Sequence, residues 1–136
     1  MYLNYLSDDQ QRVFVDSAVL LIRSDERLAI EEEALLTMIG EELGRAIPGP
    51  SSKLSLDEAV GEAEEVYLEP MQRNAFMIEL AAVCVIDGEV HVAEVELLGR
   101  FAEALGVERE RLNEMVKFAA QAREFEVIGR ELVEGD

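Results

Sequence analysis

Two short acidic stretches hold the residues best suited to chemistry. In VIDGEVHVAEVELLG, residues 85–99, Asp87, Glu89 and Glu94 place three carboxylates close together. In RSDERLAIEEEALLT, residues 23–37, Asp25 and Glu32 stand 62 positions before Asp87 and Glu94. An aspartate ending one helix and a glutamate in the first turn of the next can approach across a tight corner. Hard cations prefer oxygen ligands of this kind, so the pattern suits Ca2+ or another divalent cation. Asp87, Glu89 and Glu94 are the stronger set. At the first corner Glu26 replaces the turn glycine, and Arg27 can neutralise a carboxylate where the second corner has Glu89. An EF-hand is excluded, because its closing glutamate ends a loop of roughly twelve residues, whereas Glu94 follows Asp87 by seven.

A purely structural reading stands beside the ionic one. Asp87-Gly88 is ordinary turn chemistry, and with His91 as N-cap, Glu94 would lie at N3, where a carboxylate favours the helix dipole without any ion. Val90 and Val95 would then form a hydrophobic staple. Asp16 and Glu79 lie inside apolar helices and are expected to mark exposed stripes. Cys84, between Val83 and Val85, reads as a core residue rather than a nucleophile. His91 is the one histidine and reads as a solvated turn residue. No phosphate-cradling glycine loop and no Cys/His zinc spacing occur, so the sequence offers no catalytic constellation.

The elements that would position these corners are helical. Ser7 to Gln10 and Ser55 to Glu58 both have capping-box form. The first opens a helix to about Ser24, and the second a short acidic helix to about Tyr67. Further helices are expected over Ile30–Leu43, Asn74–Ile86 with Pro70 near its start, Val92–Leu105, and about Glu108 to Val133, the last charged on one side. Gly44 and Gly106 stand where helices should stop. RAIPGPSSKLS, residues 45–55, reads as a surface connection. Phe14 matches Phe76 at the same offset of 62, as do Asp25 and Asp87, Glu32 and Glu94, and Gly44 and Gly106. An offset sustained over some thirty positions predicts a repeated helical hairpin.

Composition sets the setting. The chain has 136 residues, 30 Asp plus Glu against 12 Lys plus Arg, and a net charge of −18. Such a field repels phosphate backbones and anionic lipid, which argues against nucleic acid and favours cations or basic protein surfaces. One cysteine rules out an internal disulfide. No apolar run reaches the roughly 18 residues of a membrane span, and MYLNYLSDD lacks the form of a secretory leader. A cytoplasmic protein is the expectation.

The motif VIDGEVHVAEVELLGRFAEALGV, with the doubled hairpin around it, resembles the tellurite-resistance TerB family. The resemblance runs from YLSDDQQRVF to the acidic final helix. It implies an all-helical domain of two pseudo-symmetric halves and acidic residues that bind divalent cations, calcium in particular. By position these would be Asp87 and Glu94, with Asp25 and Glu32 in the first half. It also implies a stress-response sensing or scaffolding role beside a protein partner, basic or membrane-associated. The expected architecture is an all-α, single-domain bundle of six or seven helices. Half one would cover about 7–44, the connection 45–55, and half two about 56–136. The expected function is a non-enzymatic binding module, the alternative being a structural or adaptor domain without an ion site.

Overall fold

Both helix starts that carry capping-box sequences form that box. The Ser7 N–H donates to Gln10 Oε1 at 2.9 Å, and the Gln10 N–H donates to Ser7 Oγ at 3.3 Å. Ser55 and Glu58 make the reciprocal pair at 3.3 and 3.2 Å. Each box satisfies amide groups that the first helical turn leaves without an intrahelical partner. The computed structural model describes residues 2–23, 29–44, 55–85 and 92–135, without the side chains of 29–33 and 35.

A 3-10 turn at Leu3–Tyr5 precedes six helices: α1 (Asp8–Arg23), α2 (Ala29–Leu43), α3 (Leu56–Val66), α4 (Pro70–Cys84), α5 (Val92–Leu105) and α6 (Arg109–Glu134). There is no strand among the described residues, so the expected all-α bundle is what forms. The fourth helix starts at Pro70, earlier than the apolar body alone suggests. Proline at N1 has its φ preset and lacks an N–H that would go unbonded there anyway. Moving α1 and α2 forward by 62 positions reproduces the bounds of α4 and α5 to within a residue.

Two glycines end the hairpins as expected, Gly44 at φ 69° and Gly106 at φ 72°. At Gly106 the Val107 N–H reaches Ala102 O at 2.8 Å and the Gly106 N–H reaches Glu103 O at 3.3 Å. That is a Schellman closure, which requires the left-handed conformation glycine adopts at little cost. No heavy atom lies within 4 Å of a Cβ built at either position, so backbone conformation rather than crowding selects glycine.

α4 is the central helix, packed against α1, α5, α6 and the 3-10 turn, while α3 bridges α1 and α5. Phe76 on α4 meets three rings: Tyr67 at 4.3 Å, Phe101 at 5.7 Å and Phe14 at 6.3 Å between centroids. The last two are edge-on, the arrangement ring quadrupoles favour. All four rings are buried. The Tyr67 hydroxyl donates to Gln10 O at 2.5 Å. Gln10 Nε2 donates to Val66 O at 2.9 Å and Gln72 Oε1 at 2.8 Å. One glutamine therefore caps α1 and ties it to the α3–α4 connection.

Asp16 and Glu79 correct an expectation. Both are buried, at 5% and 9% exposure, rather than marking solvent-facing stripes. For Glu79 the reason is the amino-terminal segment folded across α4, where the Tyr2 N–H donates to Glu79 Oε1 at 2.7 Å. A backbone donor 77 residues away compensates the buried carboxylate. Asp16 lies among the buried residues of a helix that is apolar on nearly every side.

Burial pushes the Tyr67 phenol far above its ordinary range. Above pH about 10 the unfolded chain releases this proton while the folded chain keeps it. The contribution is therefore complete below pH about 10, and stability falls above it by up to roughly 1.4 kcal/mol per pH unit. Tyr67→Phe should lose about 1–3 kcal/mol at neutral pH, since it leaves the Gln10 carbonyl without its buried donor. The same substitution should flatten the alkaline decline, which urea unfolding at neutral pH and again above pH about 10 would measure.

Candidate functional site

The corner between α4 and α5 holds the residues singled out for ion binding. α4 closes at Val85, whose N–H bonds back to Ala82 O and Val83 O. Cys84 and Val85 are buried, so the helix delivers the chain to the corner from within the core. Cys84 is a core residue, as its neighbours suggested. Asp87, Glu89 and His91 lie outside the described residues, as do Asp25 and the side chain of Glu32. The proposed N-cap at His91 and the staple residue Val90 lie outside them too.

Glu94 is the one proposed ligand whose surroundings are described. It lies at N3 of α5, as its spacing required. Its exposure is 0%, and it ranks among the largest wholly buried side chains. The cause is register. Glu94, Leu98, Phe101 and Leu105 follow one another at intervals of four, three and four residues, so all share the inward face of α5. Solvent-facing glutamate is the norm, and burying a carboxylate is costly unless hydrogen bonds or a cation compensate it. The amide groups and dipole of the first helical turn provide one favourable contribution. The carboxylates of this stretch are hard-oxygen donors that suit Ca2+ or Mg2+, while His91 among them is a nitrogen donor. Among the described residues, no cluster of three or more His, Cys, Asp or Glu side chains is placed to hold a metal.

A second feature was not anticipated. An open groove of about 680 Å³ lies between the amino-terminal turn, the end of α2, α4 and α6. Its apolar lining includes Met38, Ile39, Ile78, Val83, Phe118 and Phe125, and its charged lining is Glu42, Glu79, Glu126 and Arg123. α6 contributes Leu112, Met115 and Ala119 to the core and nothing buried beyond them. Its distal part instead exposes Phe125, Ile128, Leu132 and Val133. The signal was present in the spacing of Phe118, Phe125 and Leu132, seven residues apart, on a helix that its charges make look merely solvated.

Elsewhere arginines tie elements of the bundle together. Arg100 bonds Asp57 at 2.9 Å between two exposed side chains, linking α5 to α3. Arg73 donates to Tyr67 O at 2.6 Å and Leu105 O at 3.2 Å, capping the end of α5. Among the described residues, no helix is long and apolar enough to cross a membrane.

Fold and site define an acidic, all-α helical bundle in which three carboxylates, Asp16, Glu79 and Glu94, are buried among the described residues. No family model, curated protein or solved structure matches the chain.

Truncating Glu94 tests how firmly it belongs to the core. Glu94→Ala should cost about 2–4 kcal/mol, because it leaves a cavity in the packed inward face of α5. Arg100→Ala should cost under about 1 kcal/mol, since its ion pair is exposed. Urea titration of the two variants would measure that contrast.

Proposed function

We propose that this chain is a non-enzymatic, acidic helical binding module that takes a divalent cation at the corner between α4 and α5. The observation that carries the reading is the complete burial of Glu94 in the first turn of α5, seven residues after Asp87. A buried carboxylate is costly unless a donor or a cation compensates it. Asp87, Glu89 and Glu94 would hold the ion, and three carboxylate ligands favour calcium. Asp25 and Glu32 form the weaker set, because Arg27 supplies a positive charge within the first corner.

The TerB resemblance extends this reading to stress-response sensing or scaffolding in the cytoplasm, with a protein partner. The two halves are read as related by an approximate two-fold axis, supported by the recurrence of helix bounds at 62 residues. A second reading, an adaptor that needs no ion, is favoured by the apolar stripe on α6 and its groove. There the occupant would be a basic helix of a partner protein.

Calcium titration of metal-free protein by calorimetry should show saturable heat. At about a hundred times its dissociation constant, calcium should raise the unfolding free energy by about 2.7 kcal/mol. Asp87→Ala should abolish both effects, while Asp25→Ala should leave them largely intact. The ionic reading fails if millimolar calcium produces neither heat nor a change in melting temperature.

A further inference from the structure

We propose that the groove and the apolar stripe along α6 form a dock for one amphipathic helix of a partner protein, a helix that carries lysine or arginine beside its apolar seam. This inference rests on the adaptor reading above and names its partner's chemistry.

α6 is 26 residues long, about 39 Å at the rise of an α-helix. Its buried residues end at Ala119; of the four turns that follow, those up to Glu126 line the groove and the rest carry no buried residue. Phe118, Gln121, Phe125, Ile128 and Leu132 follow at intervals of three, four, three and four residues. That is the seam of a coiled coil, which supercoils with a second helix of matching pattern. The four apolar members of the seam are 41%, 74%, 51% and 80% exposed. The groove beside Phe118 and Phe125 continues the same apolar surface onto α2 and α4. A seam that runs past the groove along α6 suits an elongated occupant of helical form.

Charge selects among possible helices. Lys117, Glu124 and Glu131 immediately precede seam positions Phe118, Phe125 and Leu132, where flanking charges choose the partner, so the flank is acidic along the part of the seam beyond Gln121. On the opposite flank Ala122 and Gly129 are small and let a second backbone approach. The groove lining also carries Glu42, Glu79 and Glu126 beside Arg123, with Glu126 held by Arg130 at 3.0 Å and Glu79 by the Tyr2 N–H at 2.7 Å. A second copy of this chain is a poor occupant. In the antiparallel register over residues 121–132 Glu124 would face Glu131 of its neighbour, in the register one heptad earlier Glu124 would face its own counterpart while only Glu131 would meet Lys117, in a parallel pair neither glutamate finds a cation, and each copy brings a net charge of −18. A helix with lysine or arginine at its flanking positions answers both glutamates and is drawn in by the acidic field.

The test uses the full chain and three synthetic amphipathic peptides of about 18 residues, long enough to span the seam. All carry leucine at the seam, with lysine, glutamine or glutamate at the flanks, and binding is read by fluorescence anisotropy. The lysine peptide should bind saturably, the glutamine peptide at least about tenfold more weakly, and the glutamate peptide not at all. The double variant F125S/L132S changes only exposed side chains, so it should keep the parent melting temperature. It should also weaken the lysine peptide at least about tenfold. If F125S/L132S binds the lysine peptide as well as the parent does, attraction is diffuse and the dock is overturned. Equal binding of the lysine and glutamine peptides would overturn the cationic occupant while leaving an adaptor that holds helices. Binding of none of them at about 100 µM would remove both the dock and the adaptor reading. Concentration-dependent dimerisation in sedimentation, lost in F125S/L132S, would assign the face to a second copy instead.

Discussion

The ring of Phe76 stands where the elements of this bundle converge. From α4 it touches Phe14 of α1, Tyr67 of the α3–α4 connection and Phe101 of α5. With only five phenylalanines and three tyrosines in the chain, half of its aromatic residues are spent on this one contact. Aromatic rings bury large area and hold specific mutual angles, so they fix helix orientations that a core of Leu, Val and Ala alone would specify less sharply. Tyr67 can join because its hydroxyl finds the Gln10 carbonyl. Gln10 can offer that carbonyl because its own side chain is engaged on three sides. The apolar centre and its polar fastening thus depend on one another.

The unusual charge of the chain is accommodated by keeping nearly every carboxylate outside this centre. The exceptions among the described residues are Asp16, Glu79 and Glu94. Two of them lie on α1 and α4, the helices whose faces are most fully enclosed, and the third begins α5. Each is a point where the acidic character of the sequence reaches the packed interior. The N-terminal segment answers Glu79 with a backbone amide. For Glu94 the amino-terminal end of α5 supplies a favourable field.

Local rules made much of this legible. Both capping boxes, both stop glycines and the 62-residue recurrence depend on neighbours within a turn or two, and all were readable from residue types. What was missed depends on distant contacts. The burial of Glu79 is decided by a segment 77 residues away. The inward placement of Glu94 was carried by the spacing of Leu98, Phe101 and Leu105, which neither its ion-ligand nor its helix-dipole reading used. On α6, residues of both signs disguised an apolar seam that belongs to no core. Of the corner residues proposed from sequence, Asp25, Asp87 and Glu89 lie outside the described residues.

The contact between α1 and α4 has a further meaning. Gln10 bonds Gln72 and the Phe14 ring meets that of Phe76, and the members of each pair are 62 residues apart. Positions that stand 62 apart in sequence are therefore also neighbours in the core, so a change at either member of such a pair is felt by the other.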